Sequence, residues 1–216
     1  MNTQTNVSVG KPAINGAVYR APLGTTLPTT ASEDLDSAFV GLGYASEDGL
    51  TNTNSATTED IKAWGGDIVL QPITEKADTF NITFIESKNI EILKAVYGDE
   101  NVTGDLASGI TVKANSKEVP ASAWVIDMIL TGGTLKRVVI PNGQPNLDGD
   151  ISYKDNEAVG YPIKITAYPG GSDFDNDTHK EYIIEATSSQ GGDDQADPAD
   201  DPVDPSDDPD YDPLNP

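Results

Sequence analysis

A chain of 216 residues with no cysteine has room for one domain of ordinary size, and it excludes both a disulfide framework and a thiolate zinc site. Its formal net charge of -23 excludes binding of phosphate backbones by clustered Lys and Arg, because that mode works by displacing counterions from the nucleic acid. Like-charged copies also repel one another, so any self-association must wait for a specific non-covalent contact.

Residues 1–11 are polar and read as a flexible arm. They lack the basic start and apolar stretch of a signal peptide, and no later run is long enough to span a membrane, so a soluble protein made in the cytoplasm is expected. Gly41 to Ala45 is a weak strand. The following stretch, ASEDGLTNTNSATTED, has Leu50 as its one large apolar residue and is dense in Thr, Asn and Ser, which predicts a long mobile loop over about 45–63. A loop of that length in a small domain suggests a segment that orders on meeting a partner. Trp64 stands where this loop rejoins the sheet, either as a core anchor or as an interface hot spot, and Trp is enriched in both settings. The two readings differ in what Trp64→Ala would damage: monomer folding or assembly.

Beyond Trp64, Asp67 to Leu70 is another weak strand. Phe80, Ile82 and Phe84 then alternate with Thr79, Asn81 and Thr83, the period of a half-buried strand. One segment has helical period: over about 87–97, Ile90, Leu93, Val96 and Tyr97 form a stripe, with Ser87 as the cap and Gly98 as the stop. Trp124, Ile126, Met128 and Leu130 again alternate with Val125, Asp127 and Ile129. Thr131-Gly132-Gly133-Thr134 supplies a tight turn into Leu135 to Ile140, predicting a hairpin. Tyr161, Ile163 and Ile165 mark a further strand, which Pro162 suggests lies at an edge, and Lys180 to Ala186 marks the last. After about residue 190 the chain runs DDQADPADDPVDPSDDPDYDPLNP, an acidic Asp/Pro tail predicted to be disordered. The expectation is a mostly β, antiparallel sandwich or barrel over 12–189 with one flanking helix.

Motifs for chemistry are weak. Gly41-Leu42-Gly43-Tyr44-Ala45-Ser46 starts like a dinucleotide fingerprint but opens no helix. Asp173, Asp175 and Asp177 alternate like calcium ligands, yet Thr178 stands where such a loop needs glycine and Ile184 where it needs a bidentate acid. The single histidine, His179, has no second imidazole or thiolate with which to share a metal and reads as a surface residue. No nucleophile elbow or phosphate loop occurs, so neither catalytic residues, nor a cofactor, nor a resident metal is expected.

The order GKPAINGAVYRAPLGTTLPT, FVGLGYASEDGLTNTNS, IKAWGGD, TFIES with NIEILKAVYG, NVTG, ITVKANS, WVIDMIL and RVVIPNG resembles the major tail tube proteins of long-tailed, non-contractile bacteriophages. The likeness runs from about Gly10 to Ile184 and leaves out the Asp/Pro tail, where some relatives carry an immunoglobulin-like decoration domain. It implies a non-enzymatic virion protein whose copies form homohexameric rings, join sheets edge to edge around the ring, and stack helically into a tube. It also implies tape-measure, tail-terminator and tail-tip initiator proteins as partners, and genomic DNA passing through without sequence-specific binding. The region after Tyr44 and the arm up to Lys11 are the parts such relatives use between rings, which makes Glu47, Asp48, Leu50, Thr51 and Trp64 the interface candidates. An acidic body suits a conduit whose walls must not hold phosphates. The alternative is a secreted or surface β-sandwich adhesion module, which shares the Thr/Asn/Gly-rich composition but would need a secretion or anchoring signal.

Overall fold

A computed structural model describes residues 6–13 and 17–185 of the chain. In chain order its strands are β1 (Gly10–Pro12), β2 (Val18–Ala21), β3 (Val40–Gly41), β4 (Ala45–Thr58), β5 (Ile61–Lys62), β6 (Ile68–Leu70) and β7 (Ile73–Phe84). The helix α1 (Ile90–Tyr97) follows, and then β8 (Val102–Thr103), β9 (Thr111–Val112), β10 (Ser122–Leu130), β11 (Leu135–Leu147), β12 (Tyr161–Ala167) and β13 (Lys180–Ile184).

All pairings are antiparallel, and the main sheet runs β3-β2-β10-β11-β12-β7-β4. Strand β11 is shared between two layers: its first half pairs with β10 on one side and β13 on the other, while Gly143 to Leu147 pairs with β12. β1 extends the β10 edge beyond β2, so Gly10 and Lys11 of the expected arm belong to the sheet.

The predicted alternation positions the core. Phe80, Ile82 and Phe84 of β7, Tyr161, Ile163 and Ile165 of β12, and Trp124 and Ile126 of β10 are all buried in one cluster. Helix α1 adds Ile92, Leu93, Ala95 and Val96 to it. The helix starts one residue pair later than Ser87 suggested: Asn89 is the cap, its side chain accepting from the Glu91 amide, because Asn89 and not Ser87 sits at the last extended residue. Gly98 ends it with an amide bond to the Lys94 carbonyl. Gly143 is required where the two layers meet, since a Cβ there would lie 2.7 Å from both Trp124 and Ile165. The Gly143 carbonyl accepts from the Trp124 indole at 2.9 Å, so the buried ring is satisfied as well as packed.

The second face of β10 and β11 is covered too. Val125 and Val139 are fully buried there with Phe174, against Tyr19, Leu27, Leu35 and Phe39. The segment between β2 and β3 is fixed onto this face by Arg137, which makes a two-pronged ion pair with Asp127 and donates to the carbonyls of Thr30 and Glu33.

Two expectations are corrected. Pro162 does not mark an edge, because β12 lies between β11 and β7; the proline is tolerated since its nitrogen falls where the β11 ladder ends at Leu147, and Asp148 bonds back to its carbonyl. The predicted loop over 45–63 is largely a strand. β4 pairs with β7 from Leu50↔Ile82 to Thr58↔Ile73, and β5 with β6 continues as a hairpin. The loop reading looked for apolar alternation, which a strand solvated on both faces does not need; β-branched Thr at 51, 53, 57 and 58 suits the pleat without it.

Candidate functional site

The β4–β7 pair leaves the body as a two-stranded ribbon. From Asp78 to Phe84 the β7 strand is rooted in the core, whereas Ile73 to Lys76 and Asn54 to Thr58 are exposed on both faces. From Thr53 to Trp64 the ribbon spans about 35 Å at roughly 3.3 Å per strand residue. Its tip turns at Ala63 to Asp67, where the Ala63 amide bonds the Asp67 carbonyl at 2.7 Å and Gly65 and Gly66 both take positive φ. Side chains add little: Gln71 donates to Asp60 and Thr74 to the Thr57 carbonyl. A ribbon held by its ladder alone is marginal in water.

The tip is apolar and bare. Trp64 has a relative exposure of 108%, and Ile61, Ile68, Val69, Leu70 and Ile73 are each between 47% and 64% exposed. Trp64 therefore does not anchor the core, and the reason is its place on the far turn of the ribbon, well beyond the last buried residue of β7. Six large apolar side chains on one projection is a surface that a soluble monomer rarely displays unless something covers it.

The other sequence-derived interface residues sit at the opposite end. Glu47 and Asp48 are exposed, Leu50 packs partly on the core, and Thr51 is exposed on the outward face of the sheet. They lie at an irregularity in the ladder between Ala45 and Leu50, and Glu47 and Leu50 line, with Lys11, Tyr44 and Met128, a recess beside β1. So the structure brings Glu47 and Leu50 together at the base of the ribbon, leaves Asp48 exposed beside them, and places Trp64 at the tip.

Between base and tip lies a cluster that sequence reasoning missed. Asp78 is 2% exposed and accepts from the Thr178 hydroxyl, from the Asn52 amide at 2.9 Å, and faces the His179 Nδ1 at 2.6 Å. Burial pushes the Asp78 carboxyl up, but these hydrogen bonds and the histidine together outweigh it and hold the group below its ordinary value. His179 is thus a half-buried partner, stacked edge-on to Phe80 at 5.2 Å, and not the surface residue expected. The cluster ties β4, β7 and the start of β13 together where the ribbon departs. A signal was present: Asp78 falls on the same strand parity as Phe80, Ile82 and Phe84, an acid on the core side.

The calcium reading of Asp173, Asp175 and Asp177 gains nothing from the geometry. The Lys180 ammonium sits 2.7 Å from Asp175 and 3.9 Å from Asp177, and among the described residues no group of three acidic or imidazole side chains is placed to hold a metal. That ion pair holds the Asp175 carboxyl below its usual range. Cations elsewhere are also engaged. The chain has two arginines, one paired with Asp99 and the other with Asp127, and Lys94, Lys136, Lys154 and Lys164 each lie within 4 Å of a carboxylate.

Several edges of the main sheet are unpaired among the described residues: the outer sides of β3, β1, β13 and β4, and the side of β11 beyond Gly143, where pairing with β10 stops. Open strand edges and a bare apolar projection are the features of this body that suit contact with other molecules. Residues 2–190 match the family described as phage tail tube protein. The chain belongs to that family. A search of curated proteins finds no match. The tail tube assignment covers the whole described body and leaves the Asp/Pro run after residue 190 outside it. It makes the protein a structural, non-enzymatic component of the virion, and it sets aside the adhesion-module alternative. No helix among the described residues is long and apolar enough to cross a membrane.

Proposed function

We propose that copies of this tail tube protein join into homohexameric rings that stack helically, with the ribbon of each copy reaching into the neighbouring ring, to form a conduit for genomic DNA. The observation that carries this reading is the bare apolar tip at Ile61, Trp64, Ile68, Val69, Leu70 and Ile73 on a projection about 35 Å long. Burying a side chain of this size is worth about 1.5 to 3 kcal/mol, so the tip alone offers ample free energy to offset both the repulsion of like-charged copies and the ordering of the ribbon.

Within a ring, the free edge of β4 supplies backbone donors and acceptors that a neighbouring edge can satisfy, and closure of the ring leaves no edge exposed. β4, at 14 residues, is the longest of the open edges, since β3, β1 and β13 run 2, 3 and 5 residues, and Pro145 removes a donor from β11 beyond Gly143. Glu47, Asp48, Leu50 and Thr51 at the ribbon base then meet the neighbouring copy, and Trp64 at the tip meets the next ring. Tape-measure, terminator and tip-initiator proteins set the start, length and end of such a tube.

Electron microscopy of the purified chain tests this reading, over rising protein concentration and at low and high salt, since salt screens the charge that opposes association. Rings and hollow tubes of uniform width are expected from the wild-type chain, and Trp64→Ala should give folded monomers without tubes. Tubes formed equally well by Trp64→Ala would remove the tip from the account.

A further inference from the structure

β12 pairs with β7 from Tyr161↔Phe84 to Thr166↔Thr79 and stops, so Asp78 is the first residue at which β4 and β7 stand as a pair alone. Two strands without a third, and without a layer behind them, keep their spacing but not their direction, since such a ribbon twists and bends more than a wider sheet. Side chains further out do not supply the direction: among the described residues, those from Thr53 to Ala77 make no hydrogen bond or ion pair to the body. A cleft of about 510 Å³ opens instead between Glu75, Lys76 and Ala77 on the ribbon side and Tyr168, Pro169 and Asp177 on the body. The Asp78 carboxylate stands at this junction, buried on the core side. One oxygen accepts from Asn52 of β4 at 2.9 Å, and the same Asn52 amide reaches the Thr79 carbonyl at 3.2 Å. The other oxygen accepts from Thr178 and lies 2.6 Å from the His179 Nδ1. Those two residues belong to a firm part of the body. Lys180 beside them pairs with Val139, the Asp177 carbonyl accepts from the Gly170 amide at 3.0 Å, and the His179 ring stands edge-on to core Phe80.

We propose that Asp78 is the positioning residue of the ribbon: by joining β4 to the segment before β13, it sets the direction in which the ribbon leaves the body. A swing of about 10° at the root moves a tip about 35 Å away by about 6 Å, which is further than a side-chain contact reaches. A carboxylate suits the task better than an apolar contact, because its hydrogen bonds are directional and those from both sides of the junction meet in one group. On the tube reading above, on which the use of this direction rests, Trp64 arrives at a neighbouring copy already aimed. Aiming in advance lowers the ordering cost of docking, since apparent affinity scales with the fraction of time a surface is competent to bind.

The chain has no cysteine, so spin labels at Lys62→Cys near the tip and Ile183→Cys on β13 report a single distance in the monomer. Double electron–electron resonance should give one narrow distribution for the chain with Asp78 intact, and a width at least doubled in Asp78→Ala. Asn52 is exposed and its truncation leaves the core untouched, so Asn52→Ala should broaden the distribution in a fold that is not in question. Ile92→Ala, which weakens the core from the helix, should leave it narrow and so separates direction from stability. A narrow distribution in Asn52→Ala or in folded Asp78→Ala, a broad one with Asp78 and Asn52 intact, or equal broadening by Ile92→Ala would overturn the inference. Asn52→Ala should also raise the concentration at which tubes appear, on the order of 10-fold when the freed ribbon is aimed about a tenth of the time. An unchanged threshold would overturn the role in assembly. The distances are read on monomers, so absence of tubes from the wild-type chain would overturn the tube reading and not the positioning of the ribbon.

Discussion

Strand β7 is buried at every second residue from Asp78 to Phe84 and exposed on both faces from Ile73 to Lys76, although one ladder to β4 runs through both halves. The same backbone pairing therefore supports two unlike regions. In the body, Phe80, Ile82 and Phe84 meet β12, β10 and α1, and the ladder is a by-product of a closed core. In the ribbon nothing among the described residues lies behind the ladder, and the apolar groups at its tip are exposed. The body buries its own core, whereas the ribbon leaves its apolar side chains exposed, and on the proposed reading another molecule covers them. That division suits the proposed assembly, in which the tip is covered only once copies meet.

The division breaks at different places under different substitutions, and stability should respond most in the body. Trp124→Ala removes a fully buried ring and leaves its cavity and the Gly143 carbonyl unpartnered, so a loss of about 3 to 5 kcal/mol is expected in denaturant unfolding. Arg137→Ala leaves Asp127 without its partner and frees the covering segment from the Thr30 and Glu33 carbonyls; about 3 kcal/mol is expected by the same measurement. Asp78→Ala strips acceptors from Asn52 and Thr178 at the root of the ribbon and should cost about 1 to 3 kcal/mol. Because the folded Asp78 carboxyl is held below its ordinary value, its contribution is complete at neutral pH and is lost as pH falls below about 4. Melting temperature should therefore fall less steeply between about pH 5 and pH 2 in Asp78→Asn than in the wild type. Trp64→Ala lies at the small end, within about 0.5 kcal/mol for the monomer, and yet it should abolish tubes. A destabilisation comparable to that of Trp124→Ala would erase the distinction between the two regions.

The body was legible in the sequence because one-sided burial writes itself as alternation. β7 from Thr79 and β12 carry that signature, while β10, buried on both faces, was legible from its β-branched and aromatic run, the helix from its 3.6-residue stripe, and the turn after Leu130 from its two glycines. The ribbon was not legible, since a strand with solvent on both faces has no apolar period, and the Thr- and Asn-rich run from Thr51 to Thr58 reads as loop by composition. Trp64 carried no sign in the sequence of whether its own core covers it. Identity alone cannot separate an aromatic covered by its own core from one covered by a neighbour. Asp78 was overlooked for a different reason: an acid on the core parity is visible in the strand, but its three partners, Asn52, Thr178 and His179, come from segments that only the fold brings together.

Amide hydrogen exchange along β4, in monomer and in assembled tube, tests the central claim most directly. With only β7 paired to it, β4 has one free edge, and its ribbon half lacks a core behind it. The account predicts fast exchange from Thr51 to Lys62 in the monomer, strong new protection of those amides and of Trp64 in the tube, and unchanged slow exchange at Phe80, Ile82 and Val125. Equal exchange along β4 and at Trp64 in both states would contradict it.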